Sequence, residues 1–283
     1  MTTMRPAGTA VTIAALQQMK REQRKIVGVV AWDYQIARIA DRAGVDIVSV
    51  GDTVGVNLWG RDSPLDVTMD EMAIVCKAVR RGVACALLSC DFPFGPLQQG
   101  TRTALHAATR LASESGADMV KLDDAAEHLD AVRKIVRAGI PVFAQLGITP
   151  QNAAQYGVDY AAMLRGGVQV PAAMASRLVD EAKRLEEAGA SLLDFTNSGP
   201  VVGPEVARAV SIPVVGGLGG GPWLDGRIRM AHAAIGYAAS AIDAKPDTYA
   251  NVAQITLDAL CAYTDDVRAG RQIKGGIPVG PVR

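Results

Sequence analysis

Histidine is scarce in this 283-residue chain: there are three, His106, His128 and His232, all within stretches of helical periodicity. A histidine-rich metal site or a Ser-His-Asp triad is therefore disfavoured, and oxygen ligands become the expectation for any metal. Cysteine is scarce too. Cys76, Cys85, Cys90 and Cys261 show no zinc-type spacing and read as small core residues, Cys90 standing out only because it abuts Asp91. Charge of one sign is not in excess, since 29 lysines and arginines balance 29 aspartates and glutamates. No basic run exceeds a pair such as Arg80-Arg81, so there is no footprint for a phosphate backbone and no nucleic acid is expected as partner. The first residues, MTTMRPAGTA, lack the apolar core of a signal peptide, and no apolar stretch of membrane-spanning length follows. The expectation is a soluble, cytoplasmic protein with no membrane partner.

What the chain has in quantity is apolar residues, 49% of the total, enough to bury one large core. Short apolar runs alternate with longer amphipathic segments, which is the pattern of βα units. The runs are Ile26 to Ala31, Ile47 to Val50, Ala84 to Ser89, Met119 to Leu122, Val142 to Leu146, Leu192 to Phe195, Val214 to Leu218 and Ile235 to Ala239. Between them, segments such as Tyr34 to Ala43, Met69 to Arg81 and Thr101 to Ser115 predict helices, several ending in a glycine that serves as C-cap. Eight strands alternating with helices close most economically as a (β/α)8 TIM barrel, and the chain length suits one such domain over 1–283. A doubly wound open sheet would want a Gly-rich nucleotide loop after the first strand, and VVAWDYQIA has none. Asp247 to Thr264 predicts a final helix, followed by a loose Gly/Pro-rich tail from about residue 270, and Gln151 to Gln169 is a candidate lid.

In a barrel, the residues that carry chemistry sit on loops after the strand C-termini. Asp52 in VSVGDTVG, Asp91 in LLSCDFPFG and the pair Asp123-Asp124 in MVKLDDA all fall there. Singly, each could cap the helix that follows. Together, carboxylates from different strands on one rim make a site for a hard cation such as Mg2+, which takes few protein carboxylates and completes its shell with water or substrate oxygens. Lys121 lies two residues before Asp123 on the same strand face, so the two charges can pair. A charged lysine acting electrostatically is favoured there over a neutral Schiff-base nucleophile. The run GGLGGG from Gly216 to Gly221 could form an anion pocket from backbone N–H groups, or could only permit tight packing.

The ordered motifs VSVGDTVG, GRDSPLDVTMDEM, AVRRG, LLSCDFPFG, MVKLD and QLGITPQN, spread between about Ile13 and about Gly236, resemble the ketopantoate hydroxymethyltransferase family. That resemblance implies a (β/α)8 barrel related to the phosphoenolpyruvate mutase and isocitrate lyase group. It implies a cytoplasmic homo-oligomer, commonly a decamer, working in pantothenate synthesis. The implied reaction moves a one-carbon unit from 5,10-methylenetetrahydrofolate to 3-methyl-2-oxobutanoate with magnesium. By position, Asp52 and Asp91 match the family's metal-binding aspartates, and Asp123 stands where the family has a glutamate near the metal. Thr53 occupies the place of a serine that contacts the substrate carboxylate, and Lys121 matches a substrate-contacting lysine.

Two departures stand against these matches. Where the family's LLVLE-type strand end supplies a glutamate base, this chain reads LLDFTNSGP and places Thr196. Where the family has a histidine before LGLTPQ, this chain has Gln145. A threonine hydroxyl takes no proton at neutral pH without a base of its own, and loss of a positioned base costs about 100 to 10,000-fold. Asp194, two residues before Thr196 on the same strand face, is a candidate relocated base or a barrel-filling partner of a lysine. Thr196, Gln145 and Asn197 would make a neutral, hydrogen-bonding pocket. Three readings follow: hydroxymethyl transfer to a 2-oxo acid; carbon–carbon cleavage or decarboxylation of a substituted 2-oxo acid, which needs no base to take a C–H proton; and a catalytically silent homologue.

Overall fold

The computed structural model describes residues 9–243 and 247–276 and contains a closed barrel of eight parallel strands in sequential order. They are β1 (Ile26–Val30), β2 (Ile47–Val50), β3 (Leu87–Asp91), β4 (Met119–Leu122), β5 (Val142–Gly147), β6 (Leu192–Thr196), β7 (Val214–Gly216) and β8 (Gly226–Met230). The helices are α1 (Ile13–Arg21), α2 (Tyr34–Arg42), α3 (Val54–Asn57), α4 (Met69–Arg80), α5 (Gly95–Gln98), α6 (Thr101–Ser115), α7 (Leu129–Arg137), α8 (Tyr160–Arg165), α9 (Ala175–Glu187), α10 (Val202–Ala209), α11 (Ala231–Ala234) and α12 (Val252–Arg268). By contacts the chain divides into two compact units, one ending at Met230 and holding the barrel, the other beginning at Ala231 and holding α11 and α12. Among the described residues no helix is long and apolar enough to cross a membrane.

Local chemistry explains the main elements. Strands β2 to β6 are buried on both faces, as parallel strands wrapped by helices must be, and so their apolar residues are not confined to alternate positions. Helix α4 starts in a capping box, with Thr68 and Glu71 each bonding the other's backbone N–H. Helix α6 spans Thr101–Ser115 as its periodicity predicts and ends at Gly116 in the left-handed conformation.

The twofold period of the strands then builds the barrel interior in layers. Ile47, Leu87, Met119, Phe143 and Leu192 belong to one buried cluster, which Leu16 and Met19 of α1 join. Two residues further along the same strands come Ser49, Ser89, Lys121, Gln145 and Asp194, so a polar layer follows the apolar plug toward the C-terminal rim. Strand β1 contributes Gly28, where a Cβ would lie 2.6 Å from Cγ1 of Ile228 in the paired strand β8; the missing side chain gives Ile228 its room. Leu16→Ala removes a side chain only 1% exposed and is expected to cost about 2–5 kcal/mol in denaturant unfolding. Because α1 packs with the plug, substrate affinity should be retained in that variant.

Several boundaries depart from the sequence expectation. The eighth strand is Gly226–Met230, not Ile235 to Ala239, which forms turns and the start of a short 3-10 helix in the second unit. The reason is its pattern: GRIRM has buried Gly226 and Ile228 alternating with exposed Arg227 and Arg229, so no continuous apolar run marks it. The connection from Gly217 to Asp225 that leads into it contains no helix. Strand β3 begins at Leu87 rather than Ala84 and runs to Asp91, which makes that aspartate part of the strand. The last helix is Val252–Arg268, shifted from the expected Asp247 to Thr264. Cys76 and Cys90 are buried as expected, whereas Cys85 is only half-buried and Cys261 on α12 is exposed. Of the expected loose tail, residues 277–283 lie outside the described residues.

Candidate active site

Five consecutive strands deliver the polar groups. Asp52 follows β2, Asp91 ends β3, Lys121 lies in β4 with Asp123 just beyond it, Gln145 lies in β5, and Asp194 and Thr196 lie in β6; all are buried. Lys121 Nζ sits 3.1 Å from Asp91 Oδ2 and 3.1 Å from Asp194 Oδ2, bridging β3 and β6 through the barrel interior. The expected pairing of Lys121 with Asp123 is not the one found. Residues two apart on a strand are about 6.6 Å apart along it, whereas the barrel interior brings side chains of other strands closer. Asp194 Oδ1 accepts the Gly217 N–H at 2.8 Å, so both its oxygens are engaged. The same bond commits an amide of the glycine run to a carboxylate of the protein, not to an external anion.

A cavity opens at this rim. Asp52, Thr53, Asp91, Lys121, Gln145 and Thr196 form its polar side, and Val30, Leu218, Ile228 and Met230 an apolar one. Gln145 Nε2 donates to Thr196 Oγ1 at 2.7 Å, so the two neutral residues form a bonded pair. Asn197 does not line the cavity. It adopts φ 55°, which asparagine tolerates, and its Nδ2 donates to the Ile148 carbonyl at 2.8 Å while its N–H donates to the Leu218 carbonyl at 2.6 Å. It thus ties the end of β6 to both neighbouring loops. Asp123 lies beside the cavity: its Oδ2 accepts the Gln151 N–H at 3.2 Å, and its buried Oδ1 has no hydrogen-bond partner.

Two contributors were not singled out from sequence. Gln151 Nε2 donates to Asp52 Oδ2 at 2.9 Å and to the Phe92 carbonyl at 3.2 Å, drawing the loop after β5 over the acids. Tyr160, at the start of α8, lines the cavity, and its hydroxyl accepts from Asn57 Nδ2 at 2.9 Å. Both lie in the segment expected to be a lid. The motif QLGITPQN placed Gln151 near the rim, but only the turn geometry aims its side chain at Asp52.

The electrostatics are those of crowded acids around one cation. Burial, then the neighbouring Asp91 charge, raises the Asp52 carboxyl to about 7. Burial also raises Asp123 to about 8, with Asp52 adding repulsion and a Thr149 hydrogen bond opposing it. For Asp91 burial raises the pKa against the pull of Lys121. Burial disfavours the charge on Lys121, but Asp91 and Asp194 outweigh it and hold the ammonium protonated. Asp52 and Asp123 therefore bind protons more tightly folded than at their ordinary value of 3.8, and unfolding between about pH 4 and about pH 8 releases protons. Metal-free protein is expected to lose thermal stability as pH rises from about 5 to about 8, with Mg2+ restoring it at the upper end. A melting temperature that climbs with pH in the absence of metal would contradict this.

Among the described residues no group of three or more His, Cys, Asp or Glu side chains is arranged as a metal-holding cluster. The donor set still suits an ion that takes only one or two protein oxygens. Asp52 and Asp91 both line the cavity and repel one another, and Asp123 adds an unpartnered buried oxygen.

The sequence model of ketopantoate hydroxymethyltransferase matches residues 10–272. The chain belongs to that family. Among its relatives, the 3-methyl-2-oxobutanoate hydroxymethyltransferase of Geobacillus kaustophilus (strain HTA426) is 36% identical over 88% of this chain and 87% of the relative. The enzyme of that name from Nitratidesulfovibrio vulgaris (strain DP4) is 38% identical over 92% of this chain and 82% of the relative. In fold, this member of the hydroxymethyltransferase family is similar to 2,3-dimethylmalate lyase, of the PEP mutase/isocitrate lyase superfamily, with a TM-score of 0.61 at 15% identity over 95% of this chain and 92% of that one. The family is one of enzymes, so the rim described above is the candidate active site of this member.

Proposed function

We propose that this protein forms the enolate of a small 2-oxo acid, 3-methyl-2-oxobutanoate or a close relative, and transfers a hydroxymethyl group to it from 5,10-methylenetetrahydrofolate, as a step of pantothenate synthesis. The observation that carries the reading is the set of buried carboxylates on neighbouring strand ends around one buried lysine, in a chain of this family. Asp52 and Asp91, with Asp123 alongside, would hold Mg2+ or another divalent cation. Bound there, the cation supplies Lewis acidity toward carboxylate and keto oxygens.

The chain's own groups orient and complement the substrate. Lys121 keeps its proton between Asp91 and Asp194, so it acts as a fixed positive charge beside a developing enolate, not as a nucleophile. Asp194 positions Lys121, and with both oxygens engaged it is poorly placed to take a substrate proton, so the C3 proton would pass to a water in the cavity. Thr53, which lines the cavity with Tyr160, is suited to a substrate carboxylate. Val30, Leu218, Ile228 and Met230 suit an apolar branch at C3 and keep water from it. Asn197 shapes the pocket through its two loops. The exposed Ile255, Leu260, Tyr263 and Val267 on α12 support the expectation of a homo-oligomer.

Enzyme-dependent deuterium exchange at C3 of 3-methyl-2-oxobutanoate, followed by NMR with Mg2+, tests the reading. Exchange, with hydroxymethylated product on adding the folate, is the expected result. The neutral pair of Gln145 and Thr196 favours a second reading, carbon–carbon cleavage or decarboxylation of a substituted 2-oxo acid, because the breaking bond leaves its electrons on C3 with no C–H proton to be taken. Turnover of such acids with no C3 exchange would select it.

A further inference from the structure

The bonded pair of Gln145 and Thr196 has hydrogen-bonding capacity to spare, and its polarity is specific. Thr196 Oγ1 receives the Gln145 Nε2–H at 2.7 Å, which occupies the hydroxyl as an acceptor. Its own proton has no protein acceptor among the described residues. Gln145 Oε1 likewise receives no donor there, yet it is not among the sealed, unpartnered buried atoms. Both residues line the cavity, and both are fixed: Thr196 is 1% exposed and Gln145 5%. Side by side, then, the cavity wall presents one donor and one acceptor, neither of them charged.

The group complementary to a donor beside an acceptor is a hydroxyl, which accepts from one and donates to the other. A C–H bond satisfies neither side, and a carboxylate leaves the amide oxygen facing another acceptor. We infer that Thr196 and Gln145 together recognise the hydroxyl of the hydroxymethyl group on the product, Thr196 touching it as a specificity residue and Gln145 also holding Thr196 in position. This rests on the reading of the site as one for hydroxymethylated 2-oxo acids. It gives the pair a role that a proton-abstracting base in the same place would not have, since Thr196 has no ionisable group near neutral pH.

Two ligands isolate the hydroxyl. The 2-oxo acids 4-hydroxy-3,3-dimethyl-2-oxobutanoate and 3,3-dimethyl-2-oxobutanoate differ by that group alone, and their dissociation constants can be measured by calorimetry on the full chain with Mg2+ present. The wild type is expected to prefer the hydroxylated acid by about fivefold to tenfold, the worth of one or two neutral hydrogen bonds. Thr196→Val, which keeps the side-chain shape, should bring the ratio close to one, and Thr196→Ser should restore it. Gln145→Leu should lower the ratio as well, with melting temperatures confirming that each variant is folded. Equal affinities in the wild type, or a preference that persists in Thr196→Val, would overturn the inference while leaving the 2-oxo acid site standing. Binding of neither acid would instead overturn the reading of the site, and the inference with it.

Discussion

Asp52→Ala is expected to abolish Mg2+ binding in calorimetry and to lower turnover about a thousandfold, since cation assistance to a developing oxyanion is worth several kcal/mol. The loss should not be one of folding. Asp52 is buried and repelled by Asp91, and its carboxyl is raised to about 7, so removing it relieves strain in the metal-free protein. The melting temperature of the metal-free variant at neutral pH should therefore equal or exceed that of the wild type. Asp52→Asn makes the sharper test because it leaves an oxygen for the Gln151 amide, which donates to Asp52 at 2.9 Å, while removing the charge. Retained Mg2+ affinity and normal turnover in both variants would remove Asp52 from the site.

Thr196→Glu is expected to raise C3 exchange of 3-methyl-2-oxobutanoate about a hundredfold, the lower end of what a positioned base contributes. The new carboxylate would stand beside Gln145 and one layer above Asp194, whose own oxygens are held by Lys121 and Gly217. Nothing in the wild-type pair occupies the role of acceptor for a C–H proton, so the substitution adds a function instead of duplicating one. No gain in exchange, in a folded variant that still binds the ligand, would mean that the pocket has been adapted to a reaction without C–H abstraction.

The strongest local patterns led directly to structure. Thr101–Ser115 forms a helix over the span its periodicity and glycine stop predict, and β2 and β4 fall where continuous apolar runs place them. Strand β8 escaped because its outward face carries Arg227 and Arg229, so half its residues read as polar. The acids at the strand ends were visible because barrel topology converts position along a strand into height in the barrel. The identity of their partners was not: Lys121 sits two residues from Asp123 in sequence, yet its ion pairs are with Asp91 and Asp194.

By itself, then, the sequence determined the succession of strands and helices as far as β7, and which residue types reach the rim. These follow from periods of about 2 and 3.6 residues, which are properties of the local backbone. Only the tertiary structure decided that Lys121 bridges β3 to β6, that Asp194 is committed on both oxygens, and that Gln145 donates to Thr196 across neighbouring strands. Closure of the barrel sets those distances, and contacts between residues as far apart as Gln145 and Thr196 depend on register and radius, which no local pattern encodes.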